Sequence, residues 1–188
     1  MLKSIPGGRA DMPTMDLWSN AANLELRQLF RSAMASLLLL DAPTRPIYVC
    51  SPWISDFIVF ENRFGEFGHV VPVVEDRSSI RLSECLRQLA HLHEVRIISR
   101  RTDVTLTFLS NTRLAEDGVK SVLAEDDLHE KGFLTPIFYF EGSMNITYSG
   151  VHINKEKLLY HAGSDADVAR RMSLAYLELD RRWQQLAV

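Results

Sequence analysis

HEKGFLTPIFYFEGSMNITYSG, residues His129 to Gly150, places polar pairs before and behind an apolar run. His129 and Lys131 stand two apart at its head, and Gly142-Ser143-Met144-Asn145 closes it. On a strand, side chains two apart share a face and sit about 7 Å from one another. A strand over 128–134 therefore projects His129 and Lys131 together, with Glu130 and Gly132 facing the other way. Ser143 and Asn145 keep the same spacing. If the segment leading into 142–145 lies beside that strand, the four polar side chains converge on one patch. The run Ile137-Phe138-Tyr139-Phe140 between them is then the core that holds the patch rigid.

Such a patch suits a phosphodiester. Lys131 offers a point charge, Ser143 and Asn145 offer neutral donors to phosphate oxygens, and Gly142 lets the backbone come close to a substrate. His129 is left for covalent or proton-transfer work, being able to act as nucleophile, acid or base near neutral pH. No clustered carboxylates suited to a two-metal phosphoesterase accompany it, so neither a metal nor a cofactor is expected. Taken alone, a His-x-Lys pair is an ordinary solvated strand edge, and Glu156 beside Lys157 an ordinary charged turn. The conjunction of these groups is what marks a site.

Further strands are expected outward from this stretch, at 119–124, 136–141 and 156–160. IYVCSPW (47–53), VVPVV (70–74) and VRIIS (95–99) add three β-branched runs. Phe57 to Phe67 is ambiguous. Leu82, Cys85, Leu86, Leu89 and Ala90 mark one helix face. In Thr102 to Ala115, Val104, Leu106 and Phe108 alternate like a strand, but a helix capped by Thr102 or Asp103 and ended at Gly118 is the reading preferred. Helical spacing is also expected from about Asp16 to Asp41. The last helix carries a capping-box pattern at Ser164 and Asp167. Its stripe of Val168, Met172, Ala175, Tyr176, Leu179, Trp183 and Leu186 is fit to cover a sheet face or a dimer interface. The alternation predicts an α/β domain over 14–188, a mixed central β-sheet flanked by helices, behind a flexible leader at 1–13.

A chain of 188 residues, 46% apolar and 24% charged, has enough material for one proper core. Its net charge of -3 supplies no global pull toward polyanions, so a nucleic acid must be gripped locally. Two cysteines without paired or metal-type spacing, no signal-peptide core and no spanning stretch lead to the expectation of a cytoplasmic protein with no membrane partner. The run Glu125-Asp126-Asp127 would repel a phosphate backbone unless Arg96, Arg100 and Arg101 open onto the same rim. His91 and His93 fall where a helix ends and suit a cation at its C-terminus better than a metal site. His152 reads as a solvated loop residue, and His69 and His161 lack distinguishing context. Trp53, Phe57, Phe60, Phe64 and Phe67 read as core or dimer packing, or as a base-stacking surface.

H-x-K followed by G-S-x-N resembles the motif of the phospholipase D superfamily. In its single-motif bacterial nucleases a glutamate follows the asparagine by about a dozen residues, and Glu156 stands at that place here (156 - 145 = 11). Two departures stand out. The family's aspartate five residues after the lysine is replaced by Pro136, and the spacing to Gly142 is one residue short. The resemblance implies a phospholipase D-like fold and a metal-independent phosphodiesterase working through a phosphohistidine on His129. Lys131, Gly142, Ser143 and Asn145 would hold the phosphate, and Glu156 would contact the histidine. A chain with one motif copy must pair with itself, setting His129 of each subunit across a two-fold homodimer interface. IYVCSPWISD together with GSMNITYSG resembles the phospholipase D-like component of bacterial gene clusters that place 7-deazaguanine bases in DNA. That implies DNA as substrate and other subunits of a DNA-modification system as partners. Pro136 and the acidic run keep open a catalytically degenerate nucleic-acid-binding or assembly subunit. A phospholipid hydrolase shares the chemistry but needs a basic amphipathic surface that the sequence lacks.

Overall fold

A computed structural model of the chain describes residues 14–18, 24–40, 45–61, 63, 78–125 and 127–187. The leader at 1–13, the strand expected at VVPVV, and Phe64, Phe67 and His69 lie outside the described residues. The elements in chain order are β1 (Thr14–Trp18), α1 (Leu24–Leu38), β2 (Ile47–Ser51), β3 (Ile58–Glu61) and β4 (Ser79–Arg81). They continue with α2 (Leu82–Ala90), β5 (Val95–Arg100), α3 (Asp103–Thr112), a 3-10 turn (Leu114–Asp117), β6 (Lys120–Ala124) and β7 (Gly132–Leu134). The last are β8 (Phe138–Gly142), α4 (Tyr148–His152), β9 (Lys157–Ala162) and α5 (Ala166–Leu186).

Among the described residues, seven strands form one mixed sheet in the order β1-β9-β8-β7-β2-β5-β6. β2, β5 and β6 run parallel, with helical crossovers α2 and α3 between them, as parallel neighbours require. From β7 onward each neighbour is antiparallel, and a tight turn joins β7 to β8. β2 is buried along its whole length, which fits a central strand written almost entirely in apolar residues. Its alternating side chains feed two cores. Ile47 and Val49 join Phe30, Met34 and Leu37 of α1 and Cys85, Leu86 and Leu89 of α2 on one face, while Tyr48 and Cys50 join Val168, Met172, Ala175 and Tyr176 of α5 on the other. Phe30 sits at the centre of an aromatic cluster, 6.0 Å from Phe57 and Phe133 and 5.9 Å from Phe140 between ring centroids.

The layers and most elements agree with the sequence reading, and three boundaries differ for identifiable reasons. Residues 14–18 are a strand, not the first turn of a helix: Thr14-Met-Asp-Leu-Trp18 pairs along its whole length with the otherwise free edge of β9. Pairing on an open sheet edge overrides a weak helical pattern there. The strand expected over 128–134 is confined to Gly132–Leu134, because β2 offers partners only as far as Cys50, opposite Gly132. α5 begins one residue later than the capping box suggests, since the Asp165 carboxylate, not Ser164, accepts the Asp167 N–H. Phe57 and Phe60, left between core and stacking roles, are core, and β3 pairs with β4 in a separate two-stranded ribbon.

Candidate active site

The H-x-K and G-S-x-N segments meet at the open end of the β7–β8 hairpin, next to the carboxyl ends of β2 and β5. Crevices at such strand ends are where α/β sheets place ligands. Gly132 pairs with Glu141, and one step further the Gly142 N–H donates to the Lys131 carbonyl at 3.4 Å. His129 and Lys131 precede β7 and do not lie on a strand, so the shared strand face expected for them is not the device used. The Lys131 ammonium folds back onto the His129 carbonyl at 3.0 Å, and the His129 N–H donates to the Glu130 carboxylate at 3.0 Å. His129 itself is exposed, and its imidazole has no hydrogen-bond partner among the described residues.

Two arginines fix the approach to His129. Arg100, at the end of β5, donates to the Leu128 carbonyl at 2.7 Å, and Arg182 of α5 donates to the Asp127 carbonyl at 3.3 Å while pairing with its carboxylate at 2.8 Å. Arg101 pairs with Glu125 at 2.9 Å. Glu125 and Asp127 are thereby each paired with an arginine, in part as expected. Arg96 does not contribute: it pairs with Glu94 and with Asp180, and donates to the Tyr48 hydroxyl. Arg182 was not foreseen, since nothing in a helical stripe reveals that one of its polar neighbours reaches a loop 55 residues away.

On the other side of the hairpin, Ser143 and Glu156 are directly hydrogen-bonded. The Ser143 N–H donates to the Lys157 carbonyl at 2.9 Å and the Lys157 N–H to the Ser143 hydroxyl at 3.0 Å, so the β8–β9 pairing carries this serine. Glu156 is 9% exposed and also accepts from the Asn154 amide at 3.2 Å. Within the chain Glu156 holds Ser143; its contact with His129, implied by the resemblance, is not among these bonds. Gly142 makes its close approach to the β9 backbone rather than to a free face, an ideal Cβ there falling 2.1 Å from the Lys157 carbonyl oxygen.

Asn145 is placed by β2. The Ser51 hydroxyl lies 2.8 Å from the Trp53 carbonyl and 3.4 Å from Asn145 Oδ1, and it accepts the Ile146 N–H at 3.1 Å. Ser99, opposite Ser51 in the β2–β5 register, donates to the Ser51 carbonyl at 2.8 Å and lies 3.1 Å from Thr105 Oγ1. This buried hydroxyl row was missed at the sequence level, although serines close the runs IYVCS and VRIIS there. Gly150 lets α4 pack against the Asn145 backbone, since a Cβ would stand 2.2 Å from the Asn145 carbonyl oxygen.

A cavity of about 370 Å³ adjoins Lys131, lined by Glu130, Gly132, Cys50, Tyr139 and the α5 residues Arg181 and Arg182. Burial, reinforced by the Glu130 carboxylate, pushes the Cys50 thiol up to about 12, so it stays protonated and unreactive. Pro136 occupies the far turn of the hairpin, where Thr135 closes a tight loop onto Phe138. The length of β7 separates Pro136 from Lys131. Among the described residues no three His, Cys, Asp or Glu side chains converge as a metal site. No helix among them is long and apolar enough to cross a membrane.

Nuc from Salmonella typhimurium, a phospholipase D family member, superposes with a TM-score of 0.51 at 14% identity, over 92% of this chain and 92% of its own. The chain has a phospholipase D-like fold. NucT from Helicobacter pylori aligns with a TM-score of 0.44 at 14% identity over 93% and 96% of the two chains. TrmBL2, an archaeal chromatin protein whose structure shows a novel mode of DNA binding, aligns at 0.48 and 6% identity over 94% of this chain and 54% of its own. No protein-family model and no curated protein matches the sequence. At 14% identity the likeness to Nuc carries the architecture, and the chemistry rests on the residues themselves.

Proposed function

We propose that the protein is a phosphodiesterase of the phospholipase D type, a metal-independent nuclease acting on DNA through a phosphohistidine on His129. The observation that carries the reading is the bond from Gly142 N–H to the Lys131 carbonyl, which sets the H-x-K and G-S-x-N segments side by side in a phospholipase D-like sheet. In this reading Lys131, Ser143 and Asn145 bind the phosphate, and preorganised donors of this kind stabilise the charge that builds on its oxygens. The His129 imidazole attacks phosphorus and the leaving oxygen departs with a proton from the His129 of a second subunit. That second histidine then activates the water that releases the phosphate.

One chain offers one such imidazole, and its exposure at the site rim suits an interface in which a two-fold partner supplies the other. Glu156, bonded to Ser143 in the single chain, would orient the histidine only in that assembly. The test is hydrolysis of single- and double-stranded DNA in EDTA. Wild type is expected to cleave, and His129→Ala to lose at least about a thousandfold, the usual scale for removing a catalytic nucleophile. Equal activity in the two proteins refutes the catalytic assignment.

A second reading has its own support. The His129 imidazole, without a hydrogen-bond partner among the described residues, and the Pro136 turn also suit a non-catalytic nucleic-acid-binding or assembly subunit of a DNA-modification system. Acid-labile, alkali-stable phosphate trapped on His129 after reaction with substrate decides for the enzyme, and its absence under conditions of full DNA binding decides for the subunit.

A further inference from the structure

Beside Asn145 lies a second cavity, of about 300 Å³, whose walls are Trp53, Ser55, Val104, Thr147 and Tyr148 together with Asn145 itself. None of these side chains is charged. Trp53 is 39% exposed and Tyr148 53%, an unusual outlay of aromatic surface next to a polar site. Both rings are braced from behind. The Arg100 guanidinium sits over the Trp53 ring at 5.6 Å, and the His152 imidazole stacks on Tyr148 with centroids 4.6 Å apart and planes 9° from parallel. The Tyr148 N–H is pinned to the Ser55 hydroxyl at 3.2 Å, and Thr147 caps the short helix that carries the tyrosine.

We infer that this cavity is a nucleobase subsite, taking an unpaired base next to the phosphate held at Asn145. The inference rests on the phosphodiesterase reading for the phosphate and adds to it the class of substrate. Flat, rigid aromatic walls with amide and hydroxyl groups at the edge match the faces and edges of a base, and stacking of this kind is tolerant of sequence. A base paired inside a duplex presents neither face, so the fit is to a single strand or an extruded nucleotide. The same walls are wrong for a quaternary ammonium head group. Arg100 already places a cation on Trp53, and no carboxylate lines the cavity to balance a second one. Arg100 also grips the Leu128 carbonyl, one residue before His129. One side chain therefore braces the base wall and the loop that carries the proposed nucleophile.

The test is binding in the uncleaving His129→Ala chain, comparing a labelled oligothymidylate with an abasic oligomer of the same length. The two share a backbone and differ only in bases. The oligothymidylate is expected to bind at least fivefold tighter, the equivalent of about 1 kcal/mol of stacking. Trp53→Ala and Tyr148→Ala should each bring that ratio toward one while leaving the abasic affinity in place, and Trp53→Phe should retain most of it. Equal affinity for the two oligomers overturns the subsite. So does an unchanged ratio in both alanine variants, a fall in oligomer mass on Trp53→Ala, or saturable quenching of Trp53 by phosphocholine but not by thymidine. Absence of cleavage in wild type with the ratio intact would remove the phosphodiesterase reading and leave the base subsite standing. Cleavage with a ratio of one would do the reverse.

Discussion

An ideal Cβ on Gly142 would lie 2.1 Å from the Lys157 carbonyl oxygen and 3.0 Å from Leu158 Cα, with φ at +154°. Both atoms belong to the backbone of β9 and cannot swing aside as a side chain would. Gly142→Ala should therefore destabilise the protein by about 2 kcal/mol or more, through overpacking and backbone strain together, read as a drop in the urea midpoint. An unchanged midpoint would show that β8 and β9 part easily at this end. The same position shows what a motif can and cannot say. A glycine before Ser-x-Asn announces a close approach, but only the strand register reveals that its near neighbour is Lys157. Glu156 is similar: its place in the sequence was legible, while its bond to Ser143 depends on how β8 and β9 pair.

At the scale of elements, His93 lies between the end of α2 and the start of β5, with the Leu40 carbonyl beyond α1 as its hydrogen-bond partner. It is 6% exposed, and burial holds its imidazole below the usual histidine range, so it is a neutral core residue and not the helix-terminal cation its position suggested. A folded pKa below the unfolded one of about 6.5 means that the unfolded chain takes up the proton first, so stability is lost as pH falls from about 7. His152, also held low by burial and by Arg27, adds to the same window. Wild type should lose stability between pH 7 and 5 with a slope approaching about 1.4 kcal/mol per pH unit per proton. His93→Gln, neutral throughout and still able to donate to Leu40, should flatten that slope; identical slopes in thermal melts would exclude His93 as its source. Elements with strong internal periodicity, such as α2, β5 and α5, were legible because their pattern repeats the burial they receive. β1 was not, because five residues gain their conformation from an edge contributed by β9, far along the chain.

For the whole molecule, one seven-stranded sheet among the described residues carries the H-x-K and G-S-x-N segments, and His129 is exposed beside the β7–β8 hairpin. In-line displacement at phosphorus needs a group on each side, one to attack and one to protonate the departing oxygen. Within the described residues no other histidine hydrogen-bonds to His129, Lys131, Ser143 or Asn145. His161 is spent on Glu141 at 2.8 Å, and His152 on the Tyr148 carbonyl at 3.2 Å. On the proposed phosphohistidine reading the second group comes from another copy, and a closed two-fold pairing would bring like residue to like residue. Sedimentation is expected to show a species of two 21.4 kDa chains, and its catalytic activity should fall with dilution into the monomer range. Coexpression of wild type with a tagged His129→Ala chain supplies the sharper measurement. If each phosphate needs both imidazoles, isolated mixed dimers should be as inactive as the homodimeric variant, whereas half the wild-type rate would mean that each chain works alone.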